Sequence, residues 1–137
     1  MDLEAVEMAL RAAMHRAGAA ALTQLLQFPE PAADQHAIPC SCGHQARYRE
    51  LRSRRFLTVL GEVELSRPWY LCPHCHDGQF PVDRQLDIEN YDSSPGVRRM
   101  QAIVGQEVPF DHGREQMKVI GCFVELCPPD LRPGALV

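Results

Sequence analysis

The stretch that decides the fold runs from CSCGH at residues 40–44 to CPHCH at residues 72–76. Each end carries two cysteines: Cys40, Cys42, Cys72 and Cys75. Zinc prefers four soft or borderline ligands in a tetrahedron, with each sulfur about 2.3 Å from the ion. Pro73 suits a tight turn that lets the second pair face one ion. The sequence therefore predicts a zinc site formed by all four thiols.

Other ligand sets and other metals remain as alternatives. In the alternative ligand sets, His44 replaces Cys40 as a ligand of the ion, or His74 or His76 competes with a cysteine of the second pair. Iron in a rubredoxin-like site also uses four cysteines on two loops and would make the chain an electron carrier. A thioredoxin-like redox pair at the second motif would need a βαβ context, which the pattern lacks. Four thiolates fill the coordination shell of zinc, so the predicted ion is structural and no catalytic residue is predicted.

The residues between the two cysteine pairs have the pattern of short strands. The predicted strands are residues 45–51, 56–60 and 63–71. Residues 61–62 form a plausible turn into the last strand, in which apolar and polar residues alternate. Pro68 has no backbone donor, which places its strand at an edge. Together with the metal, these strands predict a zinc-ribbon-like antiparallel β-meander over residues 40–81.

The first 28 residues predict an amphipathic helix. Its apolar residues recur every three or four positions, at Leu3, Val6, Leu10, Met14, Ala17, Ala21 and Leu25. This spacing puts them on one helix face, which would pack on a core or on a partner. Pro29 and Pro31 end the helix, and residues 29–39 predict a linker or an extended arm.

The C-terminal third predicts two short helices over residues 94–120, which resemble part of a helix-turn-helix. Ser94 is a good N-cap, Pro95 is a good first helical residue, and Pro109 separates the two helices. One face of the first helix carries Val97, Met100, Ile103, Val104 and Val108. Residues 121–137 predict an irregular tail, with Cys122 and Cys127 as free thiols. The predicted fold class is α+β.

The positive charge is concentrated between the cysteine pairs. The chain has a net charge of −4 from 14 basic and 18 acidic residues, which argues against a generally basic nucleic-acid coat protein. Residues 47–70 instead combine three glutamates with six arginines: Arg47, Arg49, Arg52, Arg54, Arg55 and Arg67. Arginines interleaved with aromatic residues can grip phosphates and stack on bases, so these six are the predicted DNA-binding residues. The alternative is a solvated sheet face whose aromatic residues lie in the core.

The termini and the longest apolar run predict no membrane association. The chain begins with acidic residues where a signal peptide would be basic, and the apolar run at residues 19–26 is too short to span a bilayer. We therefore expect a cytoplasmic protein with reduced cysteines, the setting in which a metal site is favoured over disulfides. The sequence predicts no small-molecule substrate.

Several runs of residues resemble one family. They are CSCGHQA at residues 40–46, TVLGEV at 58–63, WYLCPHC at 69–75, SPG at 94–96 and VPF at 108–110. This combination resembles the N-terminal region of bacterial insertion-sequence transposases of the ISKra family, over about residues 1–119. The resemblance implies a zinc-ribbon-like region that precedes a helix-turn-helix and an RNase-H-like nuclease domain. The family pattern is lost from about Ile120, and no catalytic acid of the family can be placed on this chain.

The resemblance thus implies a truncated or frameshifted copy. The leading hypothesis is a non-catalytic, DNA-binding N-terminal fragment of such a transposase, which binds transposon ends weakly and carries one structural zinc. The first alternative is a protein–protein interaction module whose N-terminal helix pairs with another copy or with a full-length transposase. The second is a decayed reading frame with no DNA binding.

Overall fold

The computed structural model describes residues 1–107 and 109–121. It confirms the α+β class: a long N-terminal helix, a four-stranded antiparallel sheet and then short helices. The helices are α1 (Leu3–Leu25), α2 (Pro81–Gln85), α3 (Pro95–Glu107) and α4 (Phe110–Gly121). The strands are β1 (Ala37–Pro39), β2 (Gln45–Thr58), β3 (Gly61–Leu71) and β4 (Gly78–Gln79).

The sheet is a meander in the order β1-β2-β3-β4, dominated by the long hairpin of β2 and β3. The prediction of two strands at residues 45–51 and 56–60 is wrong, since β2 is continuous through both. The residues between the two predicted strands are polar but still pair residue by residue with β3. A bulge between Tyr48 and Glu50 shifts the register of this pairing. Thr58 pairs with Gly61, so the turn is residues 59–60 and not 61–62. Gly61 has φ +119°, a conformation that glycine adopts readily.

The hairpin has two apolar clusters on opposite faces. In β3 the buried residues are Val63, Leu65 and Arg67, and after that Pro68 and Tyr70. Successive strand residues point to opposite faces, so burial changes face between positions 67 and 68. The helix cluster contains Phe56, Val63, Leu65 and Ile88, and the cysteine cluster contains Cys40, Ala46, Tyr70 and Cys72. One hairpin is therefore the shared wall of two small cores.

Helix α1 packs on the sheet with a face that differs from its longest apolar stripe. Asp2 caps the helix by accepting a hydrogen bond from the Ala5 backbone N–H. Ala19 and Leu22 on the C-terminal half contact the helix cluster. The predicted packing face, in contrast, is exposed to solvent at Leu3, Leu10, Met14 and Leu25. The described residues thus leave this apolar stripe uncovered.

The predicted arm at residues 29–39 contains a short 3-10 turn and then β1, which pairs with the start of β2. The Tyr70 hydroxyl donates to the Gln35 carbonyl at 2.8 Å, which fixes the arm against β3. Pro68 lies in an interior strand, contrary to the edge prediction. On the side of β3 away from β2, the backbone of Ser66 bonds to the backbone of Leu26 and Phe28. Strand β4 pairs on the same side, but only with Tyr70 and Leu71. Pro68 sits in the gap between these contacts, where its missing N–H costs no ladder bond.

The C-terminal helices begin as predicted. Ser94 Oγ accepts a hydrogen bond from the Val97 backbone N–H at 3.2 Å, which confirms the cap of α3. Val97 and Met117 are buried together between α3 and α4. Helix α2 follows the predicted zinc-ribbon-like region and was not predicted from the sequence. The predictions for Val108 and for residues 122–137, including Cys122 and Cys127, lie outside the described residues.

No helix among the residues that the structure describes has both the length and the apolar character needed to cross a bilayer.

Candidate metal centre

Two tight backbone turns, here called knuckles, present the cysteines. The first knuckle is residues 40–44 and the second is residues 72–77. In each, the backbone N–H of the first cysteine bonds to a carbonyl across the turn: Cys40 to His44 at 2.9 Å and Cys72 to Asp77 at 3.0 Å. The residue after each second cysteine, Gly43 or His76, has a positive φ of 87° or 61°. The two motifs therefore share one local geometry although their cysteine spacings differ.

The sheet brings the two knuckles together at one end of the hairpin. Sγ of Cys40 lies 3.5 Å from Sγ of Cys75, and Sγ of Cys42 lies 3.6 Å from Sγ of Cys72. All four sulfurs lie within 4.8 Å of one another. A tetrahedral ion with bonds of about 2.3 Å would separate its sulfurs by roughly 3.8 Å. A disulfide would bring two of them to about 2.0 Å, and all four cysteines are free.

These distances make the four predicted cysteines a site that could hold a metal ion. Two of the sulfur donors, Cys40 and Cys72, belong to buried residues, whereas Cys42 and Cys75 are exposed. The site is thus half embedded in the cysteine cluster and half open to solvent. The apolar side limits the approach of water, and the open side gives the ion a path of entry.

The histidines lie beside the thiol group and not within it. Nδ1 of His44 lies 3.6 Å from Sγ of Cys42, where a protonated nitrogen can donate to a thiolate. The ring of His44 stacks on the ring of His74, with centroids 3.8 Å apart. Among the described residues, the group with metal-ligand geometry contains cysteines alone. The sequence pointed to these histidines as competing ligands and did not reveal their stacking, because it joins residues of different knuckles.

Backbone hydrogen bonds, burial and the neighbouring sulfurs together give the thiols unequal pKa values. The hydrogen bond from the Cys75 backbone N–H lowers the pKa of Cys72 to about 6, although burial acts in the opposite direction. For Cys75, the hydrogen bond from the Asp77 backbone N–H lowers the pKa, but the contact with Cys40 and burial outweigh it and raise the pKa to about 12. Sulfurs this close repel one another when all are ionised. A bound cation would remove that repulsion.

Of the six predicted DNA-binding arginines, Arg67 is buried and Arg54 is half-buried. Arg67 is only 4% exposed and forms a two-pronged ion pair with Asp83, at 2.8 and 3.0 Å, so its assignment to DNA is wrong. Its guanidinium also stacks on the Phe80 ring at 3.8 Å. Arg54 donates to the same carboxylate at 3.1 Å and to the backbone carbonyls of Ile88 and Tyr91. Both side chains hold the fold together.

Two other arginines are exposed but paired with acids. Arg52 bonds to Glu50 at 2.7 Å and stacks over the Trp69 ring at 3.4 Å. Arg55 lies 3.5 Å from Glu62 and 3.9 Å from Glu64. Their positions differ by three along β2, so they lie on opposite faces of the hairpin. The structure does not gather the six arginines into one patch.

Arg47 and Arg49 are the exposed arginines of the hairpin that make no ion pair within the described part of the chain. Arg47 pairs in register with Leu71, the residue that precedes Cys72. Arg49 occupies the bulge of β2. Both guanidinium groups are therefore without a carboxylate partner among the described residues, and Arg47 lies beside the strand end that leads to Cys72.

Asp83 is the residue that sequence reasoning missed. The sequence analysis gave it no role, yet it is buried and pairs with two arginines, Arg54 and Arg67. Its partners lie 16 and 29 residues away, so no local pattern could have revealed the pairing.

Comparison of the chain with protein-family models, with curated proteins and with solved structures found no match.

Proposed function

We propose that this chain is a non-catalytic DNA-binding module of an ISKra-type insertion-sequence transposase, built around a structural zinc ion. The observation that carries the proposal is the placement of four converging thiols at the end of the hairpin that also presents Arg47 and Arg49. The resemblance of residues 1–119 to that family supplies the transposition context, in which the partner is DNA in the bacterial cytoplasm.

Zinc is the metal that suits the donor set best. Four thiolate ligands on two knuckles match the closed tetrahedral sites that zinc occupies in small structural modules. A closed shell leaves no position for a reacting water, so the ion holds the knuckles together and takes no part in chemistry.

Zinc content tests this part of the proposal. The purified protein should contain one zinc per chain, and C75S should release the ion, because three thiols leave the tetrahedron incomplete. C42S removes an equally exposed ligand and should behave alike. Metal analysis by mass spectrometry checks both variants. Iron in the purified protein, or a folded protein without any metal, would contradict the proposal.

DNA binding rests on the two unpaired arginines. The charge of a guanidinium that already pairs with a carboxylate is largely offset by that partner, so Arg52 and Arg55 contribute less than Arg47 and Arg49. Few phosphate contacts on a chain of net charge −4 make binding weak and strongly dependent on salt. Backbone contacts carry no sequence information, so transposon ends and unrelated duplexes should bind with similar affinity.

A pair of matched variants tests the DNA contact. In fluorescence anisotropy, R47Q together with R49Q should lower affinity on a terminal-repeat duplex and on an unrelated duplex alike. The slope of log affinity against log salt should fall by about two, because each of the two arginines neutralises one phosphate in the parent. R99Q removes an exposed arginine on α3 and serves as the control. If the parent does not bind at low salt, or the double variant binds as the parent does, the DNA proposal is wrong.

The proposal includes no strand cleavage. Nuclease chemistry of the two-metal kind needs clustered carboxylates. In the described part of the chain, the acids supply no such group, and Asp83 is already neutralised by two arginines. Incubation of a plasmid with the protein and magnesium or manganese should leave the plasmid intact, and reproducible nicking by the parent would overturn this part.

A further inference from the structure

A cleft of about 570 Å³ lies between the arm, the outer edge of β3 and the start of α2. Its volume is in the range of small-molecule sites, roughly 300–1,000 Å³. The apolar part of its lining comes from Phe28, Ile38, Pro68, Tyr70, Pro81 and Val82. None of the described residues that line it is a proposed zinc ligand or one of the two proposed DNA-binding arginines. The cleft is therefore a feature that the proposed function leaves unused.

The charge of the cleft is negative and has no counter-ion in the described chain. Two exposed acids of the arm, Glu30 and Asp34, line it, and its described lining includes no lysine, arginine or histidine. Glu30 accepts a hydrogen bond from the Tyr48 hydroxyl at 3.2 Å, which leaves its charge uncompensated. His36 belongs to the same arm but does not line the cleft, and its Nε2 lies 2.9 Å from the Pro31 carbonyl. The cleft thus combines apolar walls with an acidic rim.

The backbone adds a free acceptor at Pro68. The N–H and carbonyl groups of Ser66 bond away from β2, to Leu26 and Phe28. Backbone groups two residues apart on a regular antiparallel strand point the same way, so the Pro68 carbonyl also points away from β2. No described residue donates a hydrogen bond to it, although Pro68 is a buried residue that lines the cleft. Because an unpaired backbone carbonyl in a buried segment is unfavourable, this site favours a ligand that brings a donor.

We propose that this cleft binds a small organic amine, in which one ammonium group is attached to an aromatic or branched aliphatic body. The body packs against the apolar walls. The ammonium group has three N–H donors and a positive charge, which match the free Pro68 carbonyl and the charges of Glu30 and Asp34. A neutral ligand of the same shape lacks the attraction to the acids, and an anionic ligand is repelled by them. The site does not depend on DNA binding, because neither Arg47 nor Arg49 lines it.

A matched ligand series tests the chemistry of the site. Phenethylamine, 2-phenylethanol and 3-phenylpropionate have the same ring on a short chain and differ in the charge of the polar group. In isothermal titration calorimetry of the protein as purified, the amine should bind with a dissociation constant of about 1 mM or lower. The alcohol should bind at least about fivefold more weakly, and the carboxylate should not bind measurably. Equal binding of the three compounds, or no saturable binding of the amine, overturns the proposal.

Variants of the two acids test the location. E30Q combined with D34N should weaken binding of the amine at least about fivefold and leave binding of the alcohol unchanged, since glutamine still accepts from the Tyr48 hydroxyl. E107Q removes an exposed acid on α3 and is the matched control. Far-UV circular dichroism confirms that each variant keeps its helices. A double variant that binds the amine as the parent does overturns the assignment to this cleft.

The same ring and ammonium group also occur in a peptide, so a second ligand distinguishes the source. A capped phenylalanyl-lysine dipeptide offers both groups on a peptide backbone. It should bind more weakly than phenethylamine, because the cleft has the volume of a small-molecule site. Tighter binding of the dipeptide would assign the cleft to a partner chain and overturn the small-molecule proposal.

Discussion

At the scale of single residues, the ion pair of Arg67 and Asp83 joins β3 to α2. Both side chains are about 5% exposed, and Arg54 shares the carboxylate. A buried charge is tolerated only when its partners satisfy it, and here the guanidinium has two carboxylate bonds, a carbonyl bond to Arg52 and an aromatic ring. The arginine-rich sequence of the hairpin is thus partly a structural requirement.

Removing one negative charge at this point should be costly. D83N leaves the buried guanidinium of Arg67 without a counter-ion and removes one of the two carboxylates that pair with Arg54, and we expect the free energy of unfolding to fall by about 3–5 kcal/mol. Urea denaturation of the zinc-loaded protein measures it. D87N is the matched control, because Asp87 is exposed, pairs with Arg98 at 2.9 Å and has φ 56°, which asparagine tolerates. Its effect should stay below about 1 kcal/mol. Equal losses in the two variants would contradict the role given to Asp83.

At the scale of elements, strand β4 holds the second knuckle against the hairpin through a close approach. A methyl group on Gly78 would lie 2.7 Å from Nε1 of Trp69, so only glycine fits there without a shift of the indole. Trp69 in turn carries the guanidinium of Arg52 on its face. The packing of β4, the indole and the guanidinium is therefore interdependent.

We expect G78A to destabilise the protein by about 1–3 kcal/mol, because the indole must move and its stack with Arg52 is disrupted. G105A, on α3 with nothing near its added methyl group, should instead stabilise by up to about 1 kcal/mol. Thermal unfolding followed by fluorescence reports both changes, since Trp69 is the sole tryptophan of the chain. A neutral G78A would show that the indole relaxes freely.

The elements also show what the sequence could and could not predict. Cysteine spacing, alternation and the Ser94 cap are local signals, and they located the four converging cysteines, the hairpin and α3. The same alternation could not distinguish one strand of β2 from two, because the polar residues 52–55 carry no local strand signal and are held in the strand by their pairing with β3. Periodicity likewise found the apolar stripe of α1, but it could not tell whether a core or another molecule covers it.

At the scale of the whole molecule, the proposed zinc would support one of the two clusters, the cysteine cluster, and not the helix cluster. Cys40 and Cys72 belong to one core, while α1 and Ile88 complete the other on the opposite face. Zinc binding contributes on the order of 10 kcal/mol to the folding of small metal modules. Loss of the ion should therefore act first on the knuckles and β1.

Treatment of the zinc-loaded protein with a chelator should change the Trp69 fluorescence while most of the helical circular dichroism remains. The helix cluster stays packed against α1 when the knuckles open, which is the physical reason for the difference. The two signals are recorded on one sample during chelation and again after zinc is added back. Simultaneous loss of both signals would mean that the ion stabilises the whole protein as one unit.

Pro68 has a further consequence for how copies of this protein behave when crowded. An unpaired strand edge is a template on which another chain can add a strand, and this leads to aggregation. On the outer edge of β3, no strand pairs with the position between Ser66 and Tyr70. Pro68 occupies this position, and it cannot donate a backbone hydrogen bond. On β2, the stretch from 49 to 56 pairs only with β3 within the described chain, and it carries a bulge and four arginines. Both edges of the hairpin are thus protected against fibril growth, a benefit that the arginines confer whether or not they ever meet a phosphate.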